Sequence, residues 1–392
     1  MQNKQHNDKS DIMDDIKTLE KSKNFKIGTK AKNIKIIQEI ADCLIPKTLV
    51  ISINVFQKLL AYNQIINPLN YDWSNFKIPE NYQKAIIDKI REVFNNDPLV
   101  IRSSATCEDS PLLSFAGQYS SFLNIKGKIN IVKAIKLCYE SLFSLNAQIY
   151  AKCNGIRLEH EAMAIVIQEL IPVTIGGVIF TVDPVYQDNN KMIVEYTMGL
   201  GDTVASGHKK PIIKEIDRSR KINDFPESFL GDLVRNALKL ESVFGGPQDI
   251  EWGWNSKEIY IFQSRNITTL EKCPRVKKYC FNQKNVIGKG LIACRGVSEG
   301  ILKIIKTMDE YKKIKKGEVV MLKCKPDIKI IQKMPLINGL ITRGGTLSHI
   351  AVISREFNIP CLVEFQTVCE KIEFFENKKI ILDAIKGKII LT

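Results

Sequence analysis

In the stretch GLITRGGTLSHIAVISREFNIP, residues 339–360, two glycines lead into Thr346, Leu347, Ser348 and His349. Ile350, Ile353 and Phe357 follow at helical spacing with Ala351 among them, which makes one apolar helix face. Thr346 or Ser348 can cap that helix, and Asn358 with Pro360 can end it. His349 then falls in the first turn, where free N–H groups and the positive end of the helix dipole favour an anion. A neutral imidazole is a nucleophile near pH 7, and its product with phosphate is an anion in a site suited to anions. A surface histidine beside a helix cap has the same local signature, so this stretch alone leaves both readings open.

Groups for holding phosphate lie earlier in the chain. Leu99–Ile101 is a short apolar strand leading to Arg102, a fixed cation with planar donors. Ser103, Ser104 and Thr106 add hydroxyls, and Gly117, in the turn 114–118, lets backbone close over phosphates. A Ser/Gly-rich loop between strands is the plainer alternative. The run QDIEWGWNSKEIYIFQSRNI, 248–267, reads as a hairpin turning at 255–257. Asp249 and Glu251 share one face of the first strand, and Gln263 and Arg265 share one face of the second. Two carboxylates, an amide and a guanidinium on one face suit Mg2+ shared with nucleotide phosphates, with Arg265 opposing developing phosphoryl charge. Ile250, Trp252, Tyr260 and Phe262 are expected to cover the opposite face. Gln168, Glu169 and Leu170 end a buried strand whose backbone could hydrogen-bond a base. Gly176 and Gly177 read as a turn into a second strand, and a plain core hairpin is the default there.

The elements that must position these groups alternate between helical and extended patterns, so the class is α+β. The 392 residues suggest two or three domains, and 44% hydrophobic residues can bury substantial cores. The net charge of +14 comes from scattered lysines, which points to phosphate-rich small ligands and away from nucleic acid. Ten cysteines without a CxxC pair or a Cys/His cluster of zinc spacing read as reduced thiols of a cytoplasmic protein. The polar N-terminus has no apolar core of a signal peptide, and the apolar stretch 162–182 is broken by Gln168, Glu169 and Pro172, so no membrane span is expected. Residues 1–22 read as a polar arm with a short helix through Ile12, Ile16 and Leu19, and 271–288 as a linker. The seven short β-like runs Leu291–Ala293, Gly300–Ile305, Glu318–Leu322, Gly339–Thr342, Cys361–Val363, Lys379–Leu382 and Lys388–Leu391, with about two helices, make a compact C-terminal domain over 289–392.

Together these segments resemble the dikinase family of phosphoenolpyruvate synthase, pyruvate phosphate dikinase and rifampin phosphotransferase. IRSSATCEDSPLLSFAGQYSSFLNI looks like the family's nucleotide loop, IGGVIFTVDP and DIEW…FQSR like its ATP-grasp signatures, and GGTLSHIAVISREFNIP like its phosphohistidine motif. The resemblance implies a two-lobed ATP-grasp domain over 23–270, followed by a small swivelling β/α phosphohistidine domain. It also implies that Lys30 contacts phosphate, although Thr29 stands where the family has a second glycine. Asp202, Asn266 and Glu364 depart from the family's usual glutamate, proline and glycine. On this reading ATP and Mg2+ bind, His349 attacks the β-phosphate, and AMP leaves. Lys30, Arg102, Thr106, Gly117, Gln168, Glu169, Leu170, Gln263 and Arg265 hold the nucleotide, and Asp249 and Glu251 hold the metal. His349, Arg102 and Arg265 carry the chemistry. The acceptor implied first is pyruvate, with an antibiotic hydroxyl as the alternative, and a partner chain is expected to supply the acceptor domain. A non-catalytic nucleotide-binding or phosphocarrier protein is the alternative of a different class. The stretch 268–289 could reach ~60–70 Å when extended at ~3.3 Å per residue, enough for a swivelling domain.

Overall fold

The computed structural model describes residues 12–22, 26–40, 42–108, 115, 118–186, 188–199, 212–220, 227–267, 285–324, 328–343, 349–367 and 372–392. In chain order the first elements are β1 (Ile16–Thr18), α1 (Gly28–Gln38), β2 (Thr48–Ile51), α2 (Ile53–Tyr62), α3 (Glu80–Phe94), β3 (Leu99–Ala105), β4 (Ser121–Ile125), α4 (Lys128–Ser141), α5 (Leu145–Cys153) and β5 (Met163–Glu169). Next come β6 (Ile175–Phe180), β7 (Lys191–Met198), β8 (Ile212–Asp217), α6 (Ser228–Phe244), β9 (Gln248–Trp254) and β10 (Ile259–Asn266). The last are β11 (Val286–Cys294), β12 (Val297–Ile305), β13 (Val319–Leu322), β14 (Gly339–Ile341), α7 (His349–Glu356), β15 (Cys361–Thr367), β16 (Lys379–Asp383) and β17 (Lys388–Leu391). Among the described residues no helix is long and apolar enough to cross a membrane.

Backbone packing divides the chain into two compact units: Met1–Thr174 with Ile222–Asn266, and Ile175–Lys221 with Ile267–Thr392. Residues 175–221, part of the nucleotide domain expected over 23–270, are grouped by packing with the C-terminal residues. Val185 shows why: it is buried in one apolar cluster with Ile287, Ile292, Leu302 and Met321.

The first unit is built on a sheet of order β1-β2-β5-β3-β4. β5, between β2 and β3, reads MAIVIQE and is buried over its first six residues, as a strand covered on both faces should be. The amphipathic α3 buries Ala85, Ile86, Ile87, Ile90 and Phe94. The expected polar arm needs correction from residue 12 onward. Ile16 pairs with Ile51 in the sheet and is fully buried. Asp15 accepts from Ser52 Oγ at 3.1 Å, Asn54 Nδ2 at 3.0 Å and Lys58 Nζ at 2.7 Å. The i, i+4, i+7 apolar spacing suggested a helix through Leu19; the chain is helical only over 12–14, and from Ile16 on the strand edge offered by β2 captures it.

In the second unit β6, β7 and β8 form successive antiparallel pairs. Gly176 and Gly177 lie inside β6 rather than in a turn, and β5 and β6 are not hairpin partners. A Cβ on Gly177 would sit 2.0 Å from the Glu195 carbonyl oxygen, so the glycine permits close strand approach. The remaining strands close a barrel of order β11-β15-β14-β13-β12-β16-β17. All seven β-like runs of the C-terminal domain are strands of this barrel, but β11 begins at Val286, inside the expected linker. The rest of that linker, 271–284, is outside the described residues. One α-helix and three 3-10 segments, in place of two helices, connect the described strands. Period-2 alternation splits the barrel residues in two: Val319 and Met321 face one cluster, Val320 and Leu322 the other.

Candidate active site

Construction of the candidate phosphate-binding groups starts at Gly28. Its φ of +66° opens α1, and a Cβ there would lie 2.0 Å from the backbone oxygen of Ser104. The resulting contact seats the first turn of α1 on β3. Ser104 Oγ accepts from the Ala31 amide at 3.0 Å and donates to the Ile27 carbonyl at 2.8 Å. Thr29, in place of a second glycine, donates through Oγ1 to the Thr106 carbonyl at 3.3 Å. This seating places Lys30 beside the end of β3, where its Nζ lies 2.8 Å from Glu108 Oε1.

β3 itself carries Arg102. Its Nη1 donates to Glu251 Oε2 at 2.8 Å and to Gln263 Oε1 at 3.2 Å. Those acceptors belong to β9 and β10, where the expected hairpin forms with Glu251 opposite Gln263 and Asp249 opposite Arg265. The four polar side chains therefore do share one face. Arg265 donates through Nε and Nη2 to Asp249 Oδ2, at 2.9 and 2.6 Å. The apolar side differs from expectation, because a bulge falls between Ile261 and Gln263. It turns Tyr260 opposite Gly253 and leaves Phe262 against Gly253, so Ile259 and Ile261, not Tyr260 and Phe262, join Ile250 and Trp252 in the core.

Three cation–carboxylate pairs result: Lys30 with Glu108, Arg102 with Glu251, and Arg265 with Asp249. Burial pushes the Glu251 carboxyl up, but Arg102, with Lys30 and Arg265, outweighs it and holds the group down at about 2. Glu251 is thus ionised across the physiological range. Arg102 Nη1 stands where two oxygens converge, and its Nε is buried with no partner among the described residues. Asp249, expected beside Glu251 as a metal ligand, is engaged by Arg265, as Glu251 is by Arg102, and is 8% exposed. Among the described residues no three His, Cys, Asp or Glu side chains gather as a metal cluster.

The remaining expected nucleotide contacts are more dispersed. Thr106 bonds Glu161 through its hydroxyl, and its amide donates to Ala162. Gln168 is buried and donates to Thr48 Oγ1 at 3.3 Å. The amides of Glu169 and Leu170 already donate, to Lys47 and Pro98 carbonyls, so neither N–H is spare for a base. Gly117 lies outside the described residues. Glu108 was not read from the sequence. Its signal was an acid six residues after Arg102, in a segment otherwise fitted to anions.

In the second unit α7 begins at His349, as the apolar spacing requires, and buries Ile350, Ala351 and Ile353 with Phe357 packed alongside. Asn358 has φ +54°, and the Ile359 amide donates to the Ser354 carbonyl at 2.8 Å, ending the helix where expected. Arg355 is buried and donates to the Ala293 carbonyl at 2.8 Å, tying the helix to β11. Gly344, Gly345, Thr346 and Ser348 lie outside the described residues.

The family described as pyruvate phosphate dikinase, AMP/ATP-binding domain, matches residues 25–223 and 212–284. The PEP-utilising enzyme mobile domain matches 312–387, which includes His349. A probable phosphoenolpyruvate synthase of Methanothermobacter thermautotrophicus is 30% identical over 355 residues, covering 80% of this chain and 50% of its own. A phosphoenolpyruvate synthase of Pyrococcus furiosus is 30% identical, with coverages of 70% and 39%. A rifampicin phosphotransferase of Bacillus cereus is 28% identical, with coverages of 67% and 36%. The chain spans half or less of the length of these relatives.

Proposed function

We propose, from the premise that this chain belongs to the pyruvate phosphate dikinase AMP/ATP-binding family, that it is an ATP-dependent phosphotransferase acting through His349. An imidazole nitrogen of His349 attacks the β-phosphorus of ATP. The bond from that phosphorus to the α,β-bridging oxygen breaks, and AMP leaves with the electron pair. The γ-phosphoryl group then passes to water or phosphate, leaving phosphohistidine, which transfers its phosphoryl group to an acceptor.

The observation that carries this reading is the convergence of Glu251 and Gln263 oxygens on a single cationic nitrogen, Arg102 Nη1. A carboxylate and an amide oxygen on adjacent strands fit a magnesium ion, which takes few protein ligands and fills its shell with phosphate oxygens and water. Glu251 and Gln263 are the residues we assign to Mg2+, and the ion would supply charge neutralisation to the phosphates. Arg102, released from Glu251, then turns its donors to phosphate. Lys30 and Arg265 supply the other two cations, Asp249 orienting the guanidinium of Arg265. Positioning and charge stabilisation of this kind account for most of the catalysis of phosphoryl transfer.

Pyruvate is the acceptor we propose, on the strength of the relatives named phosphoenolpyruvate synthase. A cytoplasmic location is the one we propose for a chain whose ten cysteines show no CxxC pair and no zinc-type spacing. The test is product analysis with purified chain, MgATP and pyruvate. AMP and phosphate are expected from the chain itself, and phosphoenolpyruvate once a partner chain supplies the acceptor domain; ADP as the sole nucleotide product would refute the dikinase reading.

A further inference from the structure

Lys30 is a costly residue where it stands. It lies in the first turn of α1, the positive end of the helix dipole, and its side chain is only 7% exposed. A buried ammonium persists only with a compensating partner. Glu108 is that partner, itself 6% exposed in its side chain, and of the three site pairs this is the most enclosed. The glutamate is fixed in turn: Oε1 accepts from Lys30 at 2.8 Å, and Oε2 accepts from the Ala105 amide at the end of β3 at 3.3 Å. Thr29, one residue before Lys30, bonds the Thr106 carbonyl in the same segment. The first turn of α1 is thus clamped at two points to residues 105–108. The strand running into that segment bears Arg102, so one stretch of backbone sets the positions of two cations. Lys30 is near enough to the second pair for its charge to help hold the Glu251 carboxyl down.

We infer that Glu108 is a positioning residue that fixes the Lys30 ammonium beside the Arg102 strand, ready to receive nucleotide phosphate. The inference rests on the proposed ATP-dependent reading. An ammonium has three donors, and the one given to Glu108 leaves two for phosphate oxygens. Glu108 therefore need not be displaced when nucleotide binds. Without it, the nitrogen loses its fixed place and its compensation in the buried site. Thr29, in turn, replaces a permissive glycine with a hydroxyl that reinforces the same clamp.

The test is a double-mutant cycle on the full chain, using Glu108→Gln, Lys30→Met and the double variant. Binding of Mg·ADP is measured by calorimetry and phosphoryl transfer from ATP to protein by single-turnover labelling; melting temperatures are recorded alongside. Glu108→Gln is expected to weaken Mg·ADP binding by about tenfold or more, as removal of one member of a buried charged pair does. Lys30→Met should lose a similar factor, and the double variant should be no weaker than Lys30→Met alone. A purely structural Glu108 would lower the melting temperature while leaving the affinity of folded protein intact, and that overturns the inference. Losses that multiply in the double variant overturn it too, since Glu108 would then act independently of Lys30. If Glu108→Gln fails to fold, the double variant, which removes both charges, carries the test: it should fold and match Lys30→Met in affinity, and a failure to match overturns the inference. Wild-type protein that binds no Mg·ADP sinks the ATP-dependent reading together with this inference; wild-type binding with an unaffected Glu108→Gln sinks the inference alone.

Discussion

Replacing Glu195 by glutamine should make the protein more stable at pH 8 and leave it nearly unchanged at pH 5. Glu195 lies on β7, only 2% exposed, and its Oε2 is buried without a hydrogen-bond partner among the described residues. Burial pushes its carboxyl up to about 7; Arg355 pulls the other way, and the like charge of Glu364 adds to the rise. A folded-state value above the unfolded 4.5 means that the folded chain holds the proton more tightly. Stability is therefore present at low pH and is lost as pH rises from about 4.5 through about 7. At ~1.4 kcal/mol per pH unit, the whole interval is worth about 3 kcal/mol, an order-of-magnitude figure. Glutamine cannot ionise, so the variant escapes that loss. Urea unfolding at pH 5, 6, 7 and 8 measures it directly. The wild type should weaken by about 2–3 kcal/mol more than Glu195→Gln across that range. Parallel curves for the two proteins would refute the burial argument, because an exposed or hydrogen-bonded carboxylate would give no such divergence.

Three further outcomes follow from the first unit. Gly28→Ala should destabilise by about 3 kcal/mol, from a positive φ and overlap with the Ser104 backbone, and weaken nucleotide binding with it; a melting curve and a binding isotherm check both. Asp249→Asn should leave Mg·ADP affinity nearly intact while slowing phosphoryl transfer by about 10- to 100-fold, since Arg265 loses its orienting carboxylate. Unchanged single-turnover rates would detach Asp249 from catalysis. Glu251→Gln should raise the Mg2+ concentration for half-maximal labelling by about tenfold or more; an unchanged metal dependence would place the ion on other ligands.

The polar face of the β9–β10 hairpin was legible because alternation on paired strands is a local rule. Asp249 with Glu251, and Gln263 with Arg265, needed only their spacing of two. The same rule failed for Tyr260 and Phe262, since the bulge after Ile261 breaks the alternation and has no mark in the sequence. The helix after His349 was legible from its apolar spacing and from Asn358 and Pro360 at its end. The barrel strands, too, followed from short apolar runs between turns. What escaped was set by distant partners. Ile16 joins a strand 35 residues away, and Lys30 pairs with an acid 78 residues away. Residues 175–221 pack with the C-terminal residues through groups such as Val185, which carry no local signal of where they will bury.

Two ATP samples, one labelled at the β-phosphate and one at the γ-phosphate, probe phosphoryl transfer to His349 most directly. After incubation of the purified chain with Mg2+ and quenching in base, the β-label should remain on protein as an acid-labile, base-stable phosphoryl group, while the γ-label appears as free phosphate. His349→Ala should retain neither. Retention of the γ-label in place of the β-label, or equal β-labelling of His349→Ala, would contradict the dikinase account.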